Sequence, residues 1–89
     1  MTNNVIWKYI LNTHILWSVS MPRGAHILDI QLQNDYVVMW ACVDKEEVEV
    51  QRRFLSYMTG EKIEMLCNLN YLKTIQDSNG MVFHIFESI

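Results

Sequence analysis

Two adjacent arginines, followed by an aromatic residue and a Thr-Gly pair, are the part of this sequence best suited to binding an anion. Arg52 and Arg53 point to opposite faces of an extended strand, so at most one can face a given pocket. A guanidinium pairs with phosphate or carboxylate through two parallel hydrogen bonds. Tyr57 adds a stacking surface, and a turn at Thr59-Gly60 adds a hydroxyl and backbone N–H groups. This combination favours a nucleotide ligand; the structural alternative is a solvated strand edge.

His84 is the polar side chain of an otherwise apolar run, MVFHIF at 81–86. We expect it to make a structural hydrogen bond to a backbone carbonyl or a carboxylate, and we include it among the candidate ligand-binding residues. The other histidines and both cysteines are scattered, without a metal-ligand spacing such as CxxC or HxH. A nucleophile–histidine pair meets only in the folded chain and stays open, although no local pattern supports one. We therefore predict no enzyme, no catalytic residue, no metal and no cofactor.

The composition predicts one β domain, residues 1–89, with more apolar side chains than its core can bury. Apolar residues make up 51% of the chain and charged residues 19%. Three Trp, four Tyr, three Phe and six Met exceed the needs of so small a core, which favours a subunit interface or a ligand pocket. The net charge of −3 argues against general nucleic-acid binding.

The first segment and the cysteines predict a soluble protein of the cytoplasm. MTNNVIWKYILNTHILW is apolar but contains Lys8, Asn12 and His14, so we expect neither a signal peptide nor a membrane span. Two cysteines without CxxC spacing are typical of reduced thiols.

The first half of the sequence reads as four β segments. Val5 to Leu11 and Ile15 to Ser20 are separated by Asn12-Thr13, and MPRGAH at 21–26 forms a turn. The next segment, 26–33, alternates and predicts that Leu28, Ile30 and Leu32 share the buried face. Asn34-Asp35 is a two-residue turn candidate, after which 36–43 returns as an apolar strand.

The second half predicts a further strand at 48–57, an ambiguous segment at 61–70 and a final hairpin of 71–76 with 81–87. Asn79-Gly80 predicts a type I′ turn in that hairpin, because both central residues of such a turn need positive φ. Short strands at this spacing predict an all-β fold of six to seven strands, a small antiparallel sandwich or barrel.

Two of these strands are apolar on both faces. The segments 36–43 and 81–86 leave little chain to cover their outer faces. The alternatives are a loop that covers the outer face and a second copy of the protein, and we favour a homo-oligomer.

The order of several short motifs resembles a family of short bacteriophage proteins of unknown function. The matching blocks are WKY (7–9), MPRGA (21–25), ILDIQLQ (27–33), WACVD (40–44), RF (53–54), TG (59–60), YLKT (71–74) and VFHIFE (82–87). The family pattern has GTGH where this chain has Met58-Thr59-Gly60-Glu61, and YxGT where it has Lys73.

The resemblance implies a phage protein that acts in the host bacterial cytoplasm. Small phage proteins of this kind include counter-defence sponges, which sequester a cyclic oligonucleotide or an ADP-ribose derivative without cleaving it. Such a sponge would line its pocket with Arg52 or Arg53, Tyr57 and Thr59, together with Trp7 or Trp40. The alternatives are a protein–protein inhibitor or small structural phage component acting through an apolar interface, and an enzyme using His84 or His26.

Overall fold

The computed structural model describes residues 3–11, 16–64 and 68–89, which contain seven β-strands. These are β1 (Asn4–Leu11), β2 (Leu16–Pro22), β3 (His26–Gln33), β4 (Tyr36–Asp44), β5 (Glu49–Met58), β6 (Leu69–Gln76) and β7 (Val82–Ser88). The described residues include no helix long and apolar enough to cross a membrane. The prediction of an all-β fold is confirmed, and 61–64 are not helical. The predicted break at Asn12-Thr13 and residues 65–67 lie outside the described residues.

The strands form two antiparallel sheets that pack face to face as a small sandwich. Sheet A has the strand order β1-β4-β3, and sheet B has the order β2-β5-β7-β6. The chain changes sheet after β1, β2 and β4, while β3–β4 and β6–β7 are hairpins within one sheet. The edge strands β3 and β6 contact each other where the two sheets meet.

The core lies between the sheets and is built from alternating positions of the central strands. Met39 and Ala41 of β4 are fully buried opposite Phe54 of β5 and Ile85 of β7. Burial of a large apolar side chain stabilises the fold by about 1.5–3 kcal/mol. The intervening residues of the same strands point away from the core, which fixes what the outer face of each sheet displays.

The predicted two-residue turn at Asn34-Asp35 is confirmed, whereas the turn of the second hairpin differs from the prediction. Asn34 and Asp35 have φ of 51° and 65°, so the type I′ turn lies between β3 and β4. The type I′ prediction at Asn79-Gly80 is wrong, since only Gly80 has positive φ there, at 81°. The loop is one residue longer, as Gly80 N–H donates to the Asp77 carbonyl at 3.1 Å and Asp77 N–H to the Met81 carbonyl at 2.9 Å.

The carboxylate of Asp77 explains this choice of turn. Its Oδ1 accepts hydrogen bonds from the N–H groups of Asn79 and Met81, each at 2.9 Å. An aspartate that closes its own turn in this way stabilises a left-handed glycine at the end of a longer loop. The hairpin itself is confirmed, but its register is shifted by one residue from that of a two-residue loop.

The prediction that Leu28 shares the buried face of strand β3 with Ile30 and Leu32 is wrong. A bulge between Ile27 and Asp29 reverses the alternation, so Leu28 is 48% exposed while Ile27 packs against the core. Ile30 remains buried, as predicted. Strand β6 has a similar bulge between Tyr71 and Lys73.

The bulged strands β3 and β6 are joined by an ion pair at the seam between the sheets. Lys73 Nζ lies 2.8 Å from Asp29 Oδ1. This hydrogen bond, with those from Gln31 and the Ile30 N–H, lowers the pKa of Asp29 from 3.8 to about 2. A carboxylate with a lowered pKa stabilises the folded state above its ordinary pKa and loses that contribution as the pH falls towards 2.

We predict that Lys73→Met raises the pKa of Asp29 part of the way back towards 3.8, because the largest cause of the shift is removed. The measurement is an NMR titration of the Asp29 carboxyl carbon, with exposed Lys62→Met as the matched control. Titration of wild-type Asp29 near 3.8 would contradict the ion pair.

Candidate functional site

The outer face of sheet B gathers several candidate residues around His84. The antiparallel register places His84 of β7 opposite Tyr57 of β5 on one side and opposite Thr74 of β6 on the other. Phe86 lies on the same face two residues later, whereas Ile85 belongs to the core. His84 is therefore surrounded on both sides by side chains of neighbouring strands.

A chain of hydrogen bonds crosses this face. His84 Nε2 lies 2.7 Å from Thr59 Oγ1, and His84 Nδ1 lies 2.9 Å from Thr74 Oγ1. Thr74 Oγ1 also lies 2.6 Å from the Tyr71 hydroxyl. In a neutral imidazole one ring nitrogen donates and the other accepts, and a hydroxyl can fill either role. The expectation of a carbonyl or carboxylate partner for His84 is wrong, because both partners are threonine hydroxyls.

The contact of Thr59 with His84 has half the geometry of a hydroxyl nucleophile and its base. In a catalytic triad a carboxylate on the far nitrogen orients the imidazole and stabilises the imidazolium. Here Thr74 takes that position, and a neutral hydroxyl offers no comparable charge stabilisation. The arrangement is better suited to holding His84 in a fixed orientation than to moving its proton.

Three aromatic rings form the apolar part of the same face. Phe86 is only 7% exposed although it lies outside the inter-sheet core. The rings of Tyr57 and Tyr71 meet it edge-on, at centroid distances of 5.9 and 5.6 Å. Each such pair adds about 0.5–1.5 kcal/mol beyond the area it buries. These contacts cover much of the outer face of β7 within one subunit.

Arg53 lies on this face as well, four residues before Tyr57 along β5. It is exposed and lies opposite Ser18 of β2. At the rise of an antiparallel strand, the Cα atoms of Arg53 and Tyr57 are about 13 Å apart. Arg53 is thus separated from the His84 cluster along β5, and Leu55 lies between them on the same face.

Thr59 and Gly60 end β5 in a tight turn closed by the next residue. Gly60 has φ of 91°, a conformation that favours glycine. Glu61 N–H donates to the Met58 carbonyl at 3.0 Å, and Glu61 Oε1 accepts from Met58 N–H at 3.0 Å. The glutamate that stands where the family pattern has histidine therefore fixes the turn that carries Thr59.

Arg52 lies on the opposite side of β5, facing sheet A. Its Nε and Nη2 donate to the two carboxylate oxygens of Glu87 at 2.6 and 2.7 Å, and its Nη1 donates to the Ala25 carbonyl at 2.5 Å. The two side chains are 21% and 15% exposed. Hydrogen bonds to Glu87 raise the pKa of Arg52, against the opposing effect of burial. Ligand binding by Arg52 would require this ion pair to open.

The two candidate tryptophans belong to sheet A. Trp7 of β1 lies opposite Ala41 and is 37% exposed, and Trp40 of β4 lies on the outer face opposite Lys8 and Asp29. The structure therefore brings Tyr57, Thr59 and His84 together at one end of the outer face of sheet B, beside the Gly60 turn, with Arg53 further along the same face. It places Arg52, Trp7 and Trp40 elsewhere.

Sequence reasoning missed Thr74 and Tyr71 because it misjudged the last turn. A two-residue loop at Asn79-Gly80 would pair Ile75 with His84, whereas the longer loop pairs Thr74 with His84. Asp77, three residues before Gly80, is the signal that could have indicated the longer loop.

The chain belongs to a family described as Domain of unknown function (DUF7352), whose model matches residues 2–89. No curated protein and no solved structure matches it significantly. The family match covers nearly the whole chain but carries no statement of activity.

We predict that Arg52→Met destabilises the fold by about 2–4 kcal/mol, because it leaves the Glu87 carboxylate largely buried without its partner. The double variant Arg52→Met/Glu87→Leu should recover most of that loss, since no charge is then left unpaired. Chemical denaturation measures both, with exposed Arg53→Met as a control expected to change stability by at most about 0.5 kcal/mol. A small effect of Arg52→Met would contradict a structural role for this residue.

Proposed function

We propose that this member of the DUF7352 family is a binding protein, not an enzyme, that sequesters a nucleotide-type ligand on the outer face of sheet B. The observation that supports the proposal is the hydrogen bond between Thr59 and His84, with Tyr57 opposite His84 in the register and Arg53 on the same face. A stacking surface, hydrogen-bonding side chains and an exposed cation are three elements that suit a nucleotide.

Each side chain has a defined part in such a complex. The Tyr57 and Tyr71 rings offer a base a surface worth about 1–3 kcal/mol per stacked base. Tyr71 is 59% exposed, so its ring is accessible. Arg53 lies far enough from Tyr57 to reach a phosphate while a sugar spans the distance between them. The Thr59 hydroxyl lies at the edge of the cluster, next to the Gly60 turn.

Capture without cleavage is consistent with the environment of His84. Its two ring nitrogens are held by threonine hydroxyls, and no carboxylate among the described residues prepares it as a base. The outer face of sheet B is also open, as expected if one subunit supplies only half of the binding site. We propose that a second copy of the chain closes over the ligand, which makes the protein a homo-oligomer.

The biological setting is part of the same proposal. The motif order that resembles short phage proteins supports a phage-encoded protein that acts in the host bacterial cytoplasm. There it would remove a cyclic oligonucleotide or ADP-ribose signal of host immunity. The ligand would be released intact on unfolding.

A second candidate function, binding of a protein partner, is favoured by the outer face of sheet A. Ile6, Ile10 and Tyr36 are 64%, 65% and 63% exposed on neighbouring strands. Exposed apolar residues grouped in this way are typical of interaction surfaces. A protein–protein inhibitor or a small structural phage component would use this face, and Arg53 would then be dispensable.

We predict that one member of a panel of cyclic dinucleotides, cyclic trinucleotides and ADP-ribose derivatives raises the melting temperature of the protein. At 100 times the dissociation constant, a ligand that binds only the folded state adds about 2.7 kcal/mol, or about 14 °C for so small a domain. Arg53→Ala should weaken binding by at least about tenfold, because it removes a charge-assisted hydrogen bond.

The matched control is Arg23→Ala, which removes an exposed arginine from the turn after β2. Calorimetry gives the affinities, and chromatography of the denatured complex shows whether the ligand is intact. If no member of the panel raises the melting temperature, binding of a protein partner is favoured instead. Recovery of cleaved ligand would contradict sequestration.

A further inference from the structure

A pocket of about 340 Å³ opens between the two sheets at the end that carries both hairpin turns. Its walls come from the inner faces of both sheets, and its rim comes from the β3–β4 and β6–β7 turns. This volume lies at the lower end of the range for small-molecule sites. The pocket is separate from the outer face of sheet B, because inward and outward side chains alternate along β5 and β7.

Six of the eleven residues that line the pocket are apolar, and all six belong to strands. The apolar lining consists of Trp17, Leu32, Val37, Ile75, Phe83 and Ile85. Such a lining suits a hydrocarbon or aromatic group of a ligand. Ser56 interrupts it at an inward position of β5, two residues after buried Phe54, where packing alone would favour another apolar side chain.

Trp17 carries a second indication that this region is not simply packed core. Its Nε1 is buried and has no hydrogen-bond partner among the described residues. A buried donor without a partner costs about 1–3 kcal/mol and is uncommon in native interiors. The pocket wall therefore includes Ser56 at an inward position, and one of its aromatic residues, Trp17, has a buried N–H without a partner among the described residues.

The rim of the pocket is acidic. Asp35 and Asp77 belong to the two turns, and no lysine, arginine or histidine is among the described residues that line the pocket. Asp77 uses Oδ1 to hold its own turn, which leaves Oδ2 for a further contact. Two carboxylates beside an apolar interior complement a cation that carries an apolar group.

We propose that this pocket binds a small molecule with an aromatic or aliphatic body and a protonated amine. The apolar body occupies the space between the sheets, and the ammonium lies at the rim between Asp35 and Asp77. This site is independent of nucleotide capture, since a nucleotide is an anion and the carboxylates would repel it.

The experiment is a ¹H–¹⁵N NMR titration of the full chain with three probes of similar shape. These are 2-phenylethylammonium, neutral 2-phenylethanol and the anion 3-phenylpropanoate. We expect the ammonium to shift the amide signals of Ser56, Ile75 and Phe83, and to bind about fivefold more tightly than the alcohol. The carboxylate should bind most weakly.

Two variants with the same change of charge locate the effect. Asp35→Asn should weaken ammonium binding by about two- to fivefold, and asparagine accepts the positive φ of this turn. Glu47→Gln, about 30 Å away beyond the far end of β4, should leave it unchanged. Equal binding of all three probes, shifts confined to other residues, or equal effects of the two variants would each overturn the proposal, whatever the nucleotide panel shows.

Discussion

The register of the β6–β7 hairpin is the constraint on which the outer face of sheet B depends. Side chains alternate between the faces of a strand, so a shift of one residue changes every cross-strand pair. Thr74 lies opposite His84 because the loop contains one residue more than a type I′ turn would. The Asp77 carboxylate holds that loop through two backbone N–H groups. One aspartate outside this face therefore decides whether a threonine or an isoleucine lies opposite His84.

Two ion pairs lie at the inner side of sheet B and at the seam between the two sheets. Arg52 and Glu87 pair across β5 and β7 on the inner side, and the contact with the Ala25 carbonyl ties them to the segment before β3. Lys73 and Asp29 join the bulged edges of the two sheets. The Arg52–Glu87 pair within sheet B commits one arginine to structure, which leaves Arg53 as the arginine of β5 on the outer face. Adjacent residues on one strand thereby take different roles.

Local patterns predicted the elements well because strand periodicity and turn residues act over a few residues. The strands, the opposite orientations of Arg52 and Arg53, and the two-faced apolar character of β7 all follow from alternation. The bulge that exposes Leu28 does not, since it depends on the partner strand. Glu87 could not be assigned to Arg52 from sequence, because they are separated by 35 residues and meet only through the β5–β7 pairing. For the same reason the candidate tryptophans could not be placed in sheet A.

The apolar outer face of β7 has an intramolecular explanation in part. Tyr57 and Tyr71 cover Phe86 within one subunit, and threonine hydroxyls satisfy His84. The outer face of sheet A has no comparable cover for Ile6 and Ile10 among the described residues. The excess of apolar side chains is therefore distributed unequally between the two faces, and we propose a different partner for each: a flat ligand on sheet B and a protein surface on sheet A.

The most direct test of this account is a ¹³C-edited NOESY experiment on the ring protons of His84. We predict contacts with the γ-methyl groups of Thr59 and Thr74, because these side chains flank the imidazole. Contacts with the methyl groups of Ile75 instead would show the register of a two-residue turn. That result would contradict the hydrogen bonds of His84 with Thr59 and Thr74 and, with them, the proposed ligand-binding face.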